Sequence, residues 1–68
     1  MKRQVELRVA MVRAGLGYLE LARACRARGL EVDAIELTEV ANGRRHPTEE
    51  LKNTVAAVLN KQTFEVFI

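Results

Sequence analysis

The sequence predicts an all-α domain, a compact bundle of four to five short helices. Ala, Leu, Arg and Glu, all good helix formers, dominate the 68 residues. Strand-favouring residues never line up in sustained alternation with turn pairs between them. Glycine, asparagine and proline instead fall between apolar-periodic stretches, at Gly15, Gly17, Gly29, Asn42-Gly43 and Pro47. A chain this short hides only roughly 60% of its unfolded surface, which predicts one domain of modest stability that homodimer formation would reinforce.

A first helix is expected from about Arg3 to Ala14. Its apolar residues are too dense for one narrow stripe, but Leu7, Ala10 and Ala14 share a face. Gly15 ends it in a left-handed turn and sends Leu16 inward. The second helix runs from Tyr18 to about Arg28, with Leu21, Ala22 and Cys25 inside, Arg23, Arg26 and Arg28 outside, and Gly29 as its stop. After the connection Leu30-Glu31-Val32, Asp33 caps a third helix (about 33–42), with Glu36 placed as in a capping box and Leu37, Val40 and Ala41 on the apolar side.

Asn42-Gly43 closes that helix, and Arg44-Arg45-His46-Pro47 makes a basic loop. Thr48 then caps a fourth helix, with Glu49 and Glu50 at the positive end of its dipole and Leu51, Val55, Val58 and Leu59 buried. Past Asn60-Lys61-Gln62, Thr63 is expected to cap a last short turn, Phe64 to Phe67, whose two phenylalanines bury in the core or against a second subunit.

Several function classes are disfavoured by composition. The chain has no serine, one cysteine and one histidine, so it offers no serine nucleophile and no set of soft ligands for zinc. Cys25 is expected as a small buried side chain in a helix. No apolar stretch approaches the roughly 20 residues that span a bilayer and no secretory pattern begins the chain, which predicts a cytoplasmic protein. Neither an enzyme, a cofactor, a small-molecule ligand nor a membrane partner is expected.

The net charge of +2 conceals a segregation. Through Arg28 the chain carries Lys2, Arg3, Arg8, Arg13, Arg23, Arg26 and Arg28 against Glu6 and Glu20. From Gly29 to Asn42 it carries Glu31, Asp33, Glu36 and Glu39 and no base. A polyanion must therefore approach on chosen faces.

The segment Gly15-Leu16-Gly17-Tyr18-Leu19-Glu20-Leu21-Ala22 resembles the start of the second helix in lambda-repressor and Cro-like (Xre family) helix-turn-helix domains. The stretch Leu37-Thr38-Glu39-Val40-Ala41-Asn42-Gly43-Arg44-Arg45-His46-Pro47-Thr48 is similar to that family's third helix and its following Gly-basic-basic-x-Pro-Ser/Thr loop, and the tail from Val58 to Phe67 looks like its closing segment. The chain departs from the pattern in a longer turn between the second and third helices, where Gly29 stands in for the usual glycine.

The resemblance implies a sequence-specific, repressor-like regulator from a bacterial or phage-infected cell that binds double-stranded DNA as a homodimer, with the third helix in the major groove. By position it implies that Ala34, Ile35 and Glu39 read bases, that Asn42 and Arg45 lie near the groove edge, and that Tyr18 reaches a phosphate. Glu36 either accepts from a cytosine amino group or only caps the helix, and Ile35 meets a thymine methyl or packs in the long turn. Arg44, Arg45 and His46 are expected on phosphates, joined by Arg28 as the first choice among the second-helix arginines. A protein-interaction adaptor or antirepressor that keeps the fold without DNA is the alternative, suggested by the acidic third helix. The residues do not name the dimer surface; Val9, Met11, Val12 and Phe67 are candidates.

Overall fold

The computed structural model describes residues 3–67. Five helices and no strand occur among them: α1 (Val5–Ala14), α2 (Tyr18–Ala27), α3 (Ala34–Ala41), α4 (Glu49–Val58) and α5 (Thr63–Val66). Helix α2 packs on α3 and α4, while α1 closes the bundle against α3 and α5, and α5 leans on α4. One cluster of buried side chains draws on every helix, with Leu7, Leu21, Leu37, Val55 and Val66 fully enclosed. The radius of gyration, 10.3 Å, is near the roughly 11 Å expected of a compact chain of this length.

The first four helices end in the same way. The residue after the last turn takes a positive φ, at Gly15 (72°), Gly29 (93°), Gly43 (77°) and Asn60 (59°). The amide one residue further then returns to a carbonyl five residues back: Leu16 to Met11 (2.9 Å), Leu30 to Cys25 (3.1 Å), Arg44 to Glu39 (2.8 Å) and Lys61 to Ala56 (2.9 Å). These are Schellman closures, and they satisfy carbonyls that a helix end would otherwise leave open. Where the residue after the turn meets the core it is Leu16 or Leu30; where it meets solvent it is Arg44 or Lys61, cations suited to the negative end of a helix dipole.

Two helix starts match the predicted caps. Asp33 Oδ1 accepts from the Glu36 amide at 2.8 Å, and Thr48 Oγ1 from the Leu51 amide at 3.1 Å. The connection from α2 to α3 spans residues 28–33 and is pinned rather than loose. Leu30 and Val32 are buried, and an Arg26 Nη1 donates to the Val32 carbonyl at 2.8 Å.

Several expectations are corrected or narrowed. Helix α1 begins at Val5, because the Gln4 amide is committed to the Ala41 carbonyl at 2.9 Å. Its inward face carries Leu7 and Met11, with Ala10 partly covered and Ala14 exposed. At the other end Gln62, not Thr63, is the N-cap of α5; the Thr63 hydroxyl is instead hydrogen-bonded to Asn53 Oδ1 at 2.9 Å. Of the two phenylalanines only Phe67 is buried; Phe64 is 81% exposed, since a four-residue helix turns one side inward and Val66 and Phe67 occupy it. In α4, Ala56 is buried where Val58 was expected, Val58 packing only partly against the core. Among the candidate dimer residues Met11 and Phe67 lie in the core, leaving Val9 and Val12 at the surface.

Candidate nucleic-acid interface

Helix α3 is eight residues long and has two faces. Leu37, Val40 and Ala41 point into the core. Ala34, Glu36, Thr38 and Glu39 are half-buried, and Ile35 is 72% exposed. Thr38 Oγ1 is turned back to the Ala34 carbonyl at 2.8 Å, so its hydroxyl proton is used within the helix. The side of α3 turned from the core therefore presents exposed Ile35, with half-buried Ala34, Glu36 and Glu39 around it.

The two ends of α3 differ in charge. At its start, Glu31, Val32, Asp33 and Glu36 with Arg26 line a depression of about 280 Å³. Arg26 spends a donor on the Val32 carbonyl there, and Asp33 holds the Glu36 amide. The reciprocal half of the capping box is not among the hydrogen bonds of Glu36. At the other end, Asn42 is the C-cap and Gly43 turns the chain into exposed Arg44, Arg45 and His46. Acids at the start and bases after the end complement the helix dipole, so part of this pattern serves stability. It also draws any polyanion toward the C-terminal end of α3.

Glu39 and Arg45 meet across that turn. Arg45 Nη2 lies 2.8 Å from Glu39 Oε1, and Arg45 Nε donates to the same oxygen at 3.0 Å. The pair takes one carboxylate out of the outward face and holds one guanidinium over it. Helix α4, next in the chain, does not add to the positive field, because Glu49 and Glu50 occupy its first turn and Glu49 pairs with Lys52 at 3.3 Å.

The remaining predicted residues are placed as follows. Arg28 is exposed at the C-cap of α2, so the expected cations bracket α3, one in the turn before it and the others in the loop after. Its charge is felt by buried Cys25, whose thiol burial pushes up and Arg28 pulls down in pKa. Tyr18 does not extend toward solvent: its ring packs against the core, and its hydroxyl is covered with no hydrogen-bond partner, so in this conformation it offers nothing to a phosphate. Asn42 is half-buried and forms one wall of a second depression, of about 220 Å³, with Arg3, Gln4, Val5, Arg8 and Ala41. Arg3 and Arg8 were not singled out from the sequence, although the excess of base before Arg28 was the signal that could have done so.

No group of His, Cys, Asp and Glu among the described residues could hold a metal ion, and no helix is long and apolar enough to cross a membrane. Compared with known protein families, with characterised proteins and with solved structures, the chain has no match.

Proposed function

We propose that this chain is a sequence-specific DNA-binding regulator, repressor-like in action, that lays α3 in the major groove as a homodimer. The observation that carries the reading is the side of α3 turned from the core, where exposed Ile35 and half-buried Glu39 precede the exposed cations of the loop 44–46 and Arg45 reaches back to Glu39. In a helix-turn-helix pair the second helix reads base edges while neighbouring cations grip the backbone. Helices α2 and α3, packed together and joined by a pinned six-residue turn, supply the pair.

On DNA, Arg45 exchanges Glu39 for a phosphate. Glu39 is then left to accept from a cytosine amino group, and Ile35 to cover a thymine methyl. Pairing of two copies would engage two half-sites and raise affinity without new contacts per copy. Val12, 76% exposed, and Phe64, 81% exposed, are the most exposed apolar residues outside α3 and are assigned to that contact together with Val9.

The acidic depression of Glu31, Asp33 and Glu36 beside exposed Ile35 favours a second reading, an adaptor or antirepressor that receives a basic protein partner. Fluorescence anisotropy with a labelled duplex of generic sequence separates the two. The regulator reading expects affinity to fall with salt at a log–log slope of about −0.9 per phosphate contacted, and to be weakened by Arg44→Ala/Arg45→Ala. Absence of duplex binding at low salt moves the conclusion to the adaptor.

A further inference from the structure

The depression between the start of α1 and the end of α3 has no place in the interface built from α3 and its loop, and its chemistry suits an anion. Arg3, Gln4, Val5 and Arg8 from the start of α1 and Ala41 and Asn42 from the end of α3 line it. Among the described residues no carboxylate lines it. Neither arginine has an ion-pair partner among the described residues, unlike Arg45, which Glu39 holds. The two segments are locked together by the Gln4 amide on the Ala41 carbonyl at 2.9 Å, so the cleft does not need to assemble when a ligand arrives.

Position adds to chemistry. Asn42 both caps α3 and lines this cleft, and Gly43 and Arg44 follow it directly. In the chain the cleft thus adjoins the start of the basic loop, at the end of α3 toward which a polyanion is drawn. A guanidinium presents its donors in a fixed fork that matches phosphate oxygens.

We propose that Arg3 and Arg8 form a second backbone site that takes a phosphodiester of duplex DNA next to the one held by Arg44 and Arg45. This rests on the DNA-binding reading and extends it: α1 is a clamp on the nucleic-acid backbone as well as a packing element. Arg3 and Arg8 read no base, so they add affinity evenly across sequences.

The test is the salt dependence of binding to a generic labelled duplex for the wild type, Arg3→Gln/Arg8→Gln, Arg3→Lys/Arg8→Lys and Arg44→Gln/Arg45→Gln, with thermal unfolding of each as the check on folding. Loss of two phosphate contacts makes the slope less negative by about 1.8, so between about 50 and 200 mM salt the wild type loses roughly twelvefold more affinity than the glutamine variant. The lysine variant keeps the wild-type slope with weaker binding, because charge remains while the fork is lost. A wild-type slope in folded Arg3→Gln/Arg8→Gln, alongside a flattened slope in Arg44→Gln/Arg45→Gln, overturns the second site and leaves the interface on α3 intact. A wild type that binds no duplex at any salt overturns both.

Discussion

Glu39 and Arg45 are six residues apart and joined by two contacts to a single carboxylate oxygen, at 2.8 and 3.0 Å, across the turn at Gly43. Their side chains are 37% and 51% exposed, so the pair contributes at most about 1 kcal/mol to folding. Its larger consequence is for the surface, where it hides a negative charge and stations a positive one. Glu39→Gln should therefore leave the thermal midpoint within a few degrees of wild type and raise affinity for generic duplex DNA severalfold at moderate salt. Anisotropy titrations check this; weaker generic binding would show that Glu39 positions Arg45 rather than restrains it.

The two phenylalanines should behave oppositely. Phe67 is buried and Phe64 is 81% exposed. Phe67→Ala should cost about 3–5 kcal/mol, enough to unfold much of so small a domain. Phe64→Ala should change stability by less than about 0.5 kcal/mol in the monomer. Urea unfolding at low protein concentration measures both. A cost for Phe64→Ala that appears only as protein concentration rises would place Phe64 in a subunit contact.

The cap at the start of α3 should be separable from its surface role. Asp33→Ala removes an acceptor 2.8 Å from the Glu36 amide and should cost about 1 kcal/mol, or a midpoint lower by about 4–8 °C. Asp33→Asn keeps an acceptor and should recover most of that stability. Since either change also removes a charge that repels phosphates, both variants should bind duplex DNA at least as well as wild type.

Cys25 should give the fold an alkaline limit. Burial favours the neutral thiol and raises its pKa, with Arg28 opposing. The unfolded chain thus ionises first: the stabilisation is complete below the ordinary thiol value of about 8.5 and is lost as pH rises through the higher folded value. Urea midpoints compared across that range for wild type and Cys25→Ala should converge toward high pH. Parallel curves would mean that the thiol does not contribute.

Much of the fold was legible because this chain marks its helix ends with residues of one physical meaning. Gly15, Gly29, Gly43 and Asn60 adopt the left-handed conformation, and Asp33 and Thr48 cap the helices that follow them, as their chemistry predicts. The inward faces of α2 and α3 were legible from spacing, since each has one apolar side. Helix α1 has no such contrast: Val5, Leu7, Val9, Ala10, Met11 and Val12 leave the choice of face to packing against α3 and α5, which selects Leu7 and Met11. For Phe64 the expectation left core and second subunit open, because hydrophobicity alone does not say which side of a single turn meets the core; its 81% exposure leaves the subunit contact.

The candidate site was legible as a list of residues but not as a charge pattern. The loop 44–46 follows from local sequence, whereas Ile35 was left between the groove and packing in the long turn, and its 72% exposure decides against packing. The Glu39 to Arg45 pair depends on how far Gly43 swings the chain back, and the inward turn of Tyr18 on the room available beside the core. The cleft of Arg3 and Arg8 needs the amide of Gln4 to find the carbonyl of Ala41, a contact between distant parts of the chain that no local pattern encodes.

The central claim, that α3 reads sequence while cations beside it grip the backbone, is tested most directly by selecting from a pool of random duplexes and sequencing what wild type, Ile35→Ala/Glu39→Gln and Arg44→Ala/Arg45→Ala retain. One enriched motif is expected for wild type, a changed or relaxed motif when Ile35 and Glu39 are replaced, and the same motif at lower yield when the loop arginines are removed. Absence of enrichment by the folded wild type at any salt concentration would contradict it.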